Sequence, residues 1–106
     1  MLYTGTRDNS IKVNASEAIA KGICDDGGLF VTMEIPKLSL SDIKKIGNLP
    51  YKKRAEKVLK LWLTDFSKEE LEMCIDSAYE SSKFSSEKIA PLKKLNGRES
   101  VLELWR

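Results

Sequence analysis

The strongest constraint on the fold lies in the middle of the chain, where a helical apolar stripe meets a helix-start signal. Tyr51, Ala55, Val58, Leu59, Trp62 and Leu63 fall at offsets of 4, 7, 8, 11 and 12 from Tyr51. That spacing predicts a helix with one apolar face. Lysines and Glu56 fill the opposite, solvent-facing side. Pro50 suits its first turn, where no backbone N–H is needed. Ser67-Lys68-Glu69-Glu70 then forms an S-x-x-E capping box, in which the serine hydroxyl and the glutamate carboxylate satisfy orphan backbone donors. It opens a second helix carrying Leu71, Cys74, Ile75, Ala78 and Tyr79 on one face. The serine-rich run from Ser81 to Ser86 ends it and acts as a linker.

Shorter elements flank this pair. Leu2 to Thr6 reads as a strand and Ile11 to Val13 as a second, turning at Asp8-Asn9. Asn14 with Glu17 looks like a capping pair for a helix that turns Ala15, Ala18 and Ile19 toward the core and stops near Lys21, with Gly22 beyond it. Asp25-Asp26-Gly27-Gly28 is a tight turn needing positive φ twice. Leu29-Phe30-Val31 follows as a strand, and Pro36 ends the extended stretch. Ser39 with Asp42 starts a helix carrying Leu40, Ile43 and Ile46 and ending at Gly47. Ile89 to Leu95 reads as extended, Asn96-Gly97 as a two-residue hairpin turn, and Val101 to Trp105 as the last strand, with Val101, Glu103 and Trp105 pointing one way. About four helices flanked by short β-strands and hairpins make a small α+β domain. Residues 1–86 read as that domain, and 87–106 as a hairpin and strand leading out of it.

Composition excludes more than it suggests. At 106 residues, one modest core is the most the chain holds. Eighteen Lys and Arg against 16 Asp and Glu leave a formal charge of +2, too little to imply a nucleic-acid partner. The run Lys52-Lys53-Arg54 reads as a solvated helix face. There is no histidine, which removes the commonest general base and the commonest zinc ligand. Cys24 and Cys74 read as separate reduced thiols in a cytoplasmic protein. No apolar stretch is long enough to span a membrane.

Few residues suggest chemistry. Consecutive glycines at 27 and 28 can form an anion-binding nest, but the neighbouring carboxylates argue for a plain turn. Arg7 could clamp a phosphate or carboxylate; an ion pair with a nearby Asp is the expected role. Ser67 and Glu70 are explained by capping. Trp62, Tyr79 and Phe84 are expected to pack in the interior, whereas Trp105 is expected to be exposed. The chain stops at Leu104-Trp105-Arg106, in a hydrophobic strand. This predicts a piece of something longer.

Several segments together resemble the threonine synthase family. Tyr3-Thr4-Gly5-Thr6-Arg7 is similar to its Y-x-S-T-R opening, with Gly5 replacing the usual serine. Glu17 to Val31 resembles the block S-E-A-I-x-x-G-L-A-x-D-G-G-L-(Y/F)-V, with Thr32 in place of a common proline. Ile35-Pro36-Lys37-Leu38, Leu49-Pro50-Tyr51 with Ala55, and Ala78-Tyr79 follow in order. Val101-Leu102-Glu103-Leu104-Trp105 resembles the V-L-E-L-(F/W) that precedes H-G-P-T-x-A-F-K-D. The resemblance implies the N-terminal domain of an enzyme that converts O-phospho-L-homoserine and water to L-threonine and phosphate. Pyridoxal phosphate would be the cofactor of the full-length lyase. Its lysine would lie beyond Arg106, so the resemblance implies no catalytic, cofactor-binding or metal residue here and an inactive fragment. The expected partner is the remainder of the enzyme chain, with no nucleic acid and no membrane. Arg7, Asp26, Gly27 and Gly28 are the residues expected near the active site. A stand-alone module docking through the C-terminal strand edge is the alternative.

Overall fold

Local hydrogen-bonding signals set most of the helix boundaries in the computed structural model, which describes residues 1–105. Helix α1 spans Ala15–Lys21 and begins where the Asn14 side chain accepts from the Glu17 N–H. It ends at Gly22, whose φ of 74° is one that side chains rarely adopt. Helix α2, Leu40–Gly47, opens with a reciprocal Ser39–Asp42 capping box. Helix α3, Tyr51–Trp62, starts directly after Pro50, and α4, Lys68–Ala78, carries the Ser67–Glu70 box in full. A 3-10 turn at Ser81–Lys83 follows.

The strands are shorter than the sequence suggests. β1 (Tyr3–Gly5) pairs antiparallel with β2 (Phe30–Thr32), Thr4 opposite Val31. The expected strand at Ile11 to Val13 shrinks to one bridge, Tyr3 to Val13. Asp8 folds back on Ser10 just before it, and Asn14 caps α1 just after, so no room for a strand remains. β3 (Leu92–Lys94) pairs with β4 (Ser100–Leu102). The Asn96-Gly97 connection is not a two-residue turn. The Asn96 carboxamide oxygen accepts from the Arg98 and Glu99 N–H groups, and the Leu95 N–H donates to the Glu99 carbonyl. Gly97 keeps a negative-side φ, which a two-residue type I′ turn forbids. The last strand also stops early, so the alternation expected through Trp105 ends at Leu102. Glu103 is nevertheless buried, and Trp105 is 70% exposed, as expected.

The buried apolar side chains are few and mostly small: Val13, Ala15, Ala18 and Cys24, with Leu71 and Ile75 from α4. Several expected burials are overturned. Ile19, Leu40 and Ile43 are exposed, and so is Cys74. Glu56, expected in solvent, is buried at 9%, while Val58 of the apolar stripe is 38% exposed. The reason is the way α4 docks. The Lys53 ammonium reaches Glu56 at 2.9 Å and Glu72 at 3.1 Å, and Lys52 reaches Asp76 at 3.0 Å. The α3–α4 seam therefore runs along a charged row, and part of the basic run is tied to α4 rather than merely solvated. The interior aromatics are half-buried instead of deep: Tyr79 meets Tyr51 edge-on at 5.2 Å and stacks on Phe84 at 6.3 Å.

One long-range device ties these parts together. Asp65, in the α3–α4 connection, accepts hydrogen bonds from the Ala15 and Ser16 N–H groups at 3.2 and 3.0 Å. It thus caps α1 from a distant part of the chain, favourably placed at a helix N-terminus. Nearby, the Tyr3 hydroxyl donates to the Trp62 carbonyl at 3.0 Å.

Candidate functional site

The turn after α1 and the end of β1 build one cluster, with Asp26 at its centre. The Cys24 N–H donates to the Gly28 carbonyl at 3.1 Å and the Gly27 N–H to the Cys24 carbonyl at 2.9 Å, closing the turn. Asp26 Oδ1 accepts from the Gly28 N–H at 2.6 Å. Its Oδ2 accepts from the Arg7 and Asp8 N–H groups at 2.9 and 2.7 Å. The Thr6 hydroxyl oxygen accepts from the Leu29 N–H at 3.0 Å. The four residues singled out from sequence, Arg7, Asp26, Gly27 and Gly28, are therefore brought together.

Two expectations about them change. Only Gly27 needs a positive φ, 77°; Gly28 does not. Gly28 is instead required for space, because a Cβ there would collide with the Thr6 hydroxyl and lie 2.9 Å from Asp26 Oδ1. Arg7 does not form the expected ion pair: among the described residues its guanidinium pairs with no carboxylate. Both Asp26 oxygens are committed to backbone donors, and the Arg7 side chain lies across Gly27, 3.1 Å from where a Cβ would sit. The glycine turn is no anion nest either, since Asp26 supplies an internal acceptor.

Burial pushes the Asp26 carboxyl upward, but hydrogen bonds from the Gly28 N–H, the Cys24 thiol and the Arg7 and Asp8 N–H groups outweigh it and hold Asp26 below its ordinary 3.8. Asp65 follows the same pattern: burial raises it, and the Ser16 and Ala15 donors outweigh that and lower it. A depressed folded pKa stabilises the fold above the unfolded value, and that stability is lost as pH falls through the folded one. Thermal stability should therefore be level above roughly pH 5 and decline on acidification below about 4. Melting Asp26→Asn over the same range checks this: its curve should fall less steeply than the parent's. Parallel curves would show that Asp26 is no better bound in the folded state.

The residues present do not fit a pyridoxal-phosphate site. Every lysine among the described residues is exposed or half-exposed, and the glycine-turn amides are already satisfied. A cavity of about 550 Å³ between α2 and α3 is lined by Leu38, Ile46, Leu49 and Leu61 with lysines at its rim. Its acid, Asp42, is engaged by Ser39. Among the described residues no cluster of His, Cys, Asp and Glu could hold a metal, and no helix is long and apolar enough to cross a membrane. Sequence reasoning missed Asp65 and Glu56, whose partners lie on other elements and leave no local signature.

Comparison with known proteins gives this arrangement its context. A family model described as Threonine synthase N terminus matches residues 2–79. Threonine synthase from Pseudomonas aeruginosa is 30% identical over 99% of this chain, and that of Schizosaccharomyces pombe is 34% identical over 97%. The chain spans only 22% and 20% of the length of these two relatives. The crystal structure of PLP-bound threonine synthase from Brucella melitensis superposes on 98% of the chain with a TM-score of 0.84 at 28% identity, covering 22% of that protein. Threonine synthase from Escherichia coli gives 0.80 at 25% identity over the same share of this chain and 23% of its own. Motif order, fold and family match agree, and the chain belongs to the threonine synthase N-terminus family.

Proposed function

We propose that this chain serves as the N-terminal domain of a threonine synthase, a pyridoxal-phosphate-dependent lyase that converts O-phospho-L-homoserine and water to L-threonine and phosphate. The observation that carries the reading is the ordered family match over residues 2–79, together with the likeness of nearly the whole chain to a fraction of the PLP-bound Brucella enzyme. In such an enzyme the cofactor supplies the electron sink, and the protein supplies binding and orientation. With no fitting lysine or phosphate cradle among the described residues, residues outside this chain hold the cofactor, and the chain alone is inactive. Its partner is the remainder of the enzyme, in the cytoplasm. Residues 1–86 form the domain, and 87–106 lead into the catalytic part. The relatives carry this region as a fraction of a longer chain, which disfavours a stand-alone module docking by its C-terminal edge. Arg7, seated over the Asp26-Gly27-Gly28 turn and paired with no carboxylate among the described residues, faces the substrate entrance and offers its guanidinium to a phosphate or carboxylate.

The test joins residues 1–106 to the remainder of the Pseudomonas aeruginosa enzyme in place of its own matching region. The chimera should release phosphate and form threonine. Arg7→Ala in it should raise KM about tenfold, on the order of one charged hydrogen bond, with the cofactor absorbance unchanged. The isolated chain mixed with pyridoxal phosphate should show no stoichiometric aldimine band. A folded, cofactor-loaded chimera that makes no threonine would sink the reading, as would an aldimine on the isolated chain.

A further inference from the structure

The two faces of the two-stranded sheet differ in cover, and one leaves most of its apolar side chains exposed. The β1–β2 register sets Leu2 opposite Met33, Thr4 opposite Val31 and Thr6 opposite Leu29. Opposed residues project to the same side of a sheet, and neighbours along a strand to opposite sides. Leu2, Leu29, Val31 and Met33 therefore share one face, where they are 47%, 65%, 43% and 49% exposed around a buried Thr4 whose hydroxyl donates to the Asp8 carbonyl. On the other face Tyr3 and Phe30 border a cavity together with Ala15, Ala18 and Leu63. An isolated pair of strands is marginal in water, and packing on a further layer is what normally stabilises it. The exposed face holds no charge from Leu29 to Met33, so it does not fit a phosphorylated substrate or a nucleic acid. It runs directly into the Gly27-Gly28 turn that seats Arg7.

We infer that the Leu2–Leu29–Val31–Met33 face docks the catalytic part of the same polypeptide. The inference rests on the reading above. The occupant is chosen because this region is 22% and 20% of the two relatives' length, so most of such a chain lies outside it. The face also continues into the cluster proposed to border the substrate. Docking there would cover apolar surface and fix the Arg7 turn against the site in one step.

The test places Val31→Glu and Met33→Glu together in the active chimera. Both positions are exposed, so the same pair in the isolated 106-residue chain should leave its circular dichroism melt unchanged. In the chimera the pair should separate one unfolding transition into two and lower kcat/KM about 100-fold, the scale of a misplaced active-site group. Met73→Glu, on the exposed side of α4, should change neither. If the unsubstituted chimera is active and the double variant matches it in both unfolding and rate, the inference falls while the functional reading stands. If the unsubstituted chimera is inactive, the functional reading falls first. If the isolated chain sediments as a dimer that the double substitution disperses, the occupant is a second copy, and the proposal is overturned.

Discussion

Leu71→Ala should lower the unfolding free energy by about 2–5 kcal/mol, the range for truncating a buried leucine. Leu71 is 3% exposed and Ile75, one turn later on α4, is 4% exposed. They are the largest apolar side chains in the core, because its other members, Val13, Ala15, Ala18 and Cys24, are smaller. A domain of this size has only about 5–15 kcal/mol in total. One truncation therefore removes a substantial share. Urea unfolding measures it, as a lower midpoint at unchanged slope. Leu40→Ala, at a position 78% exposed, should stay within about 0.5 kcal/mol. Equal effects at the two sites would mean that α4 does not pack as described.

Gly5→Ser should be destabilising by about 1–3 kcal/mol through overpacking, and Cys24→Ala should relieve it. A Cβ on Gly5 would collide with Asp26 Oδ2 and lie 2.7 Å from Cys24 Sγ and 2.8 Å from Asp26 Cγ. Moving that carboxylate disturbs the hydrogen bonds that Arg7 and Asp8 make to it. The family pattern has serine where this chain has Gly5 and alanine where it has Cys24, so the thiol fills space that a side chain at position 5 would take. The two positions exchange volume, and contacting residues of this kind are non-additive. Gly5→Ser/Cys24→Ala should accordingly melt above Gly5→Ser alone, each kcal/mol corresponding to about 4–8 °C in a domain of this size. Gly47→Ala, with nothing within 4 Å of its Cβ, is the neutral reference. A double variant no more stable than Gly5→Ser would refute the exchange.

The candidate site was partly legible. The Asp26-Gly27-Gly28 turn and its proximity to Arg7 could be anticipated from a glycine pair and from segments that recur together in a family. What Arg7 does there could not. The expected ion pair fails because Asp26 finds better donors in the backbone amides of Arg7, Asp8 and Gly28. Gly28 looked like a conformational glycine and is a steric one, a difference that depends on where Thr6 stands across the sheet.

The four helices, the side-chain caps of α1, α2 and α4, and the tight turn after α1 were legible in the order of residues alone. These depend on hydrogen bonds between residues two to four apart, such as Ser67 with Glu70, and such partners are fixed by chain order. Packing between elements settled which of the apolar faces are buried. An apolar stripe records what a helix can bury, not whether another element arrives to cover it. Thus Glu56 is enclosed by Lys53 beside α4, while Ile19 and the Leu29–Val31–Met33 row stay in solvent. It also decided that β1 pairs along its length with β2 and makes only one bridge to the nearer Ile11 to Val13 segment, and that Asp65 caps α1, because such contacts close long loops whose ends carry no mark of each other in the sequence.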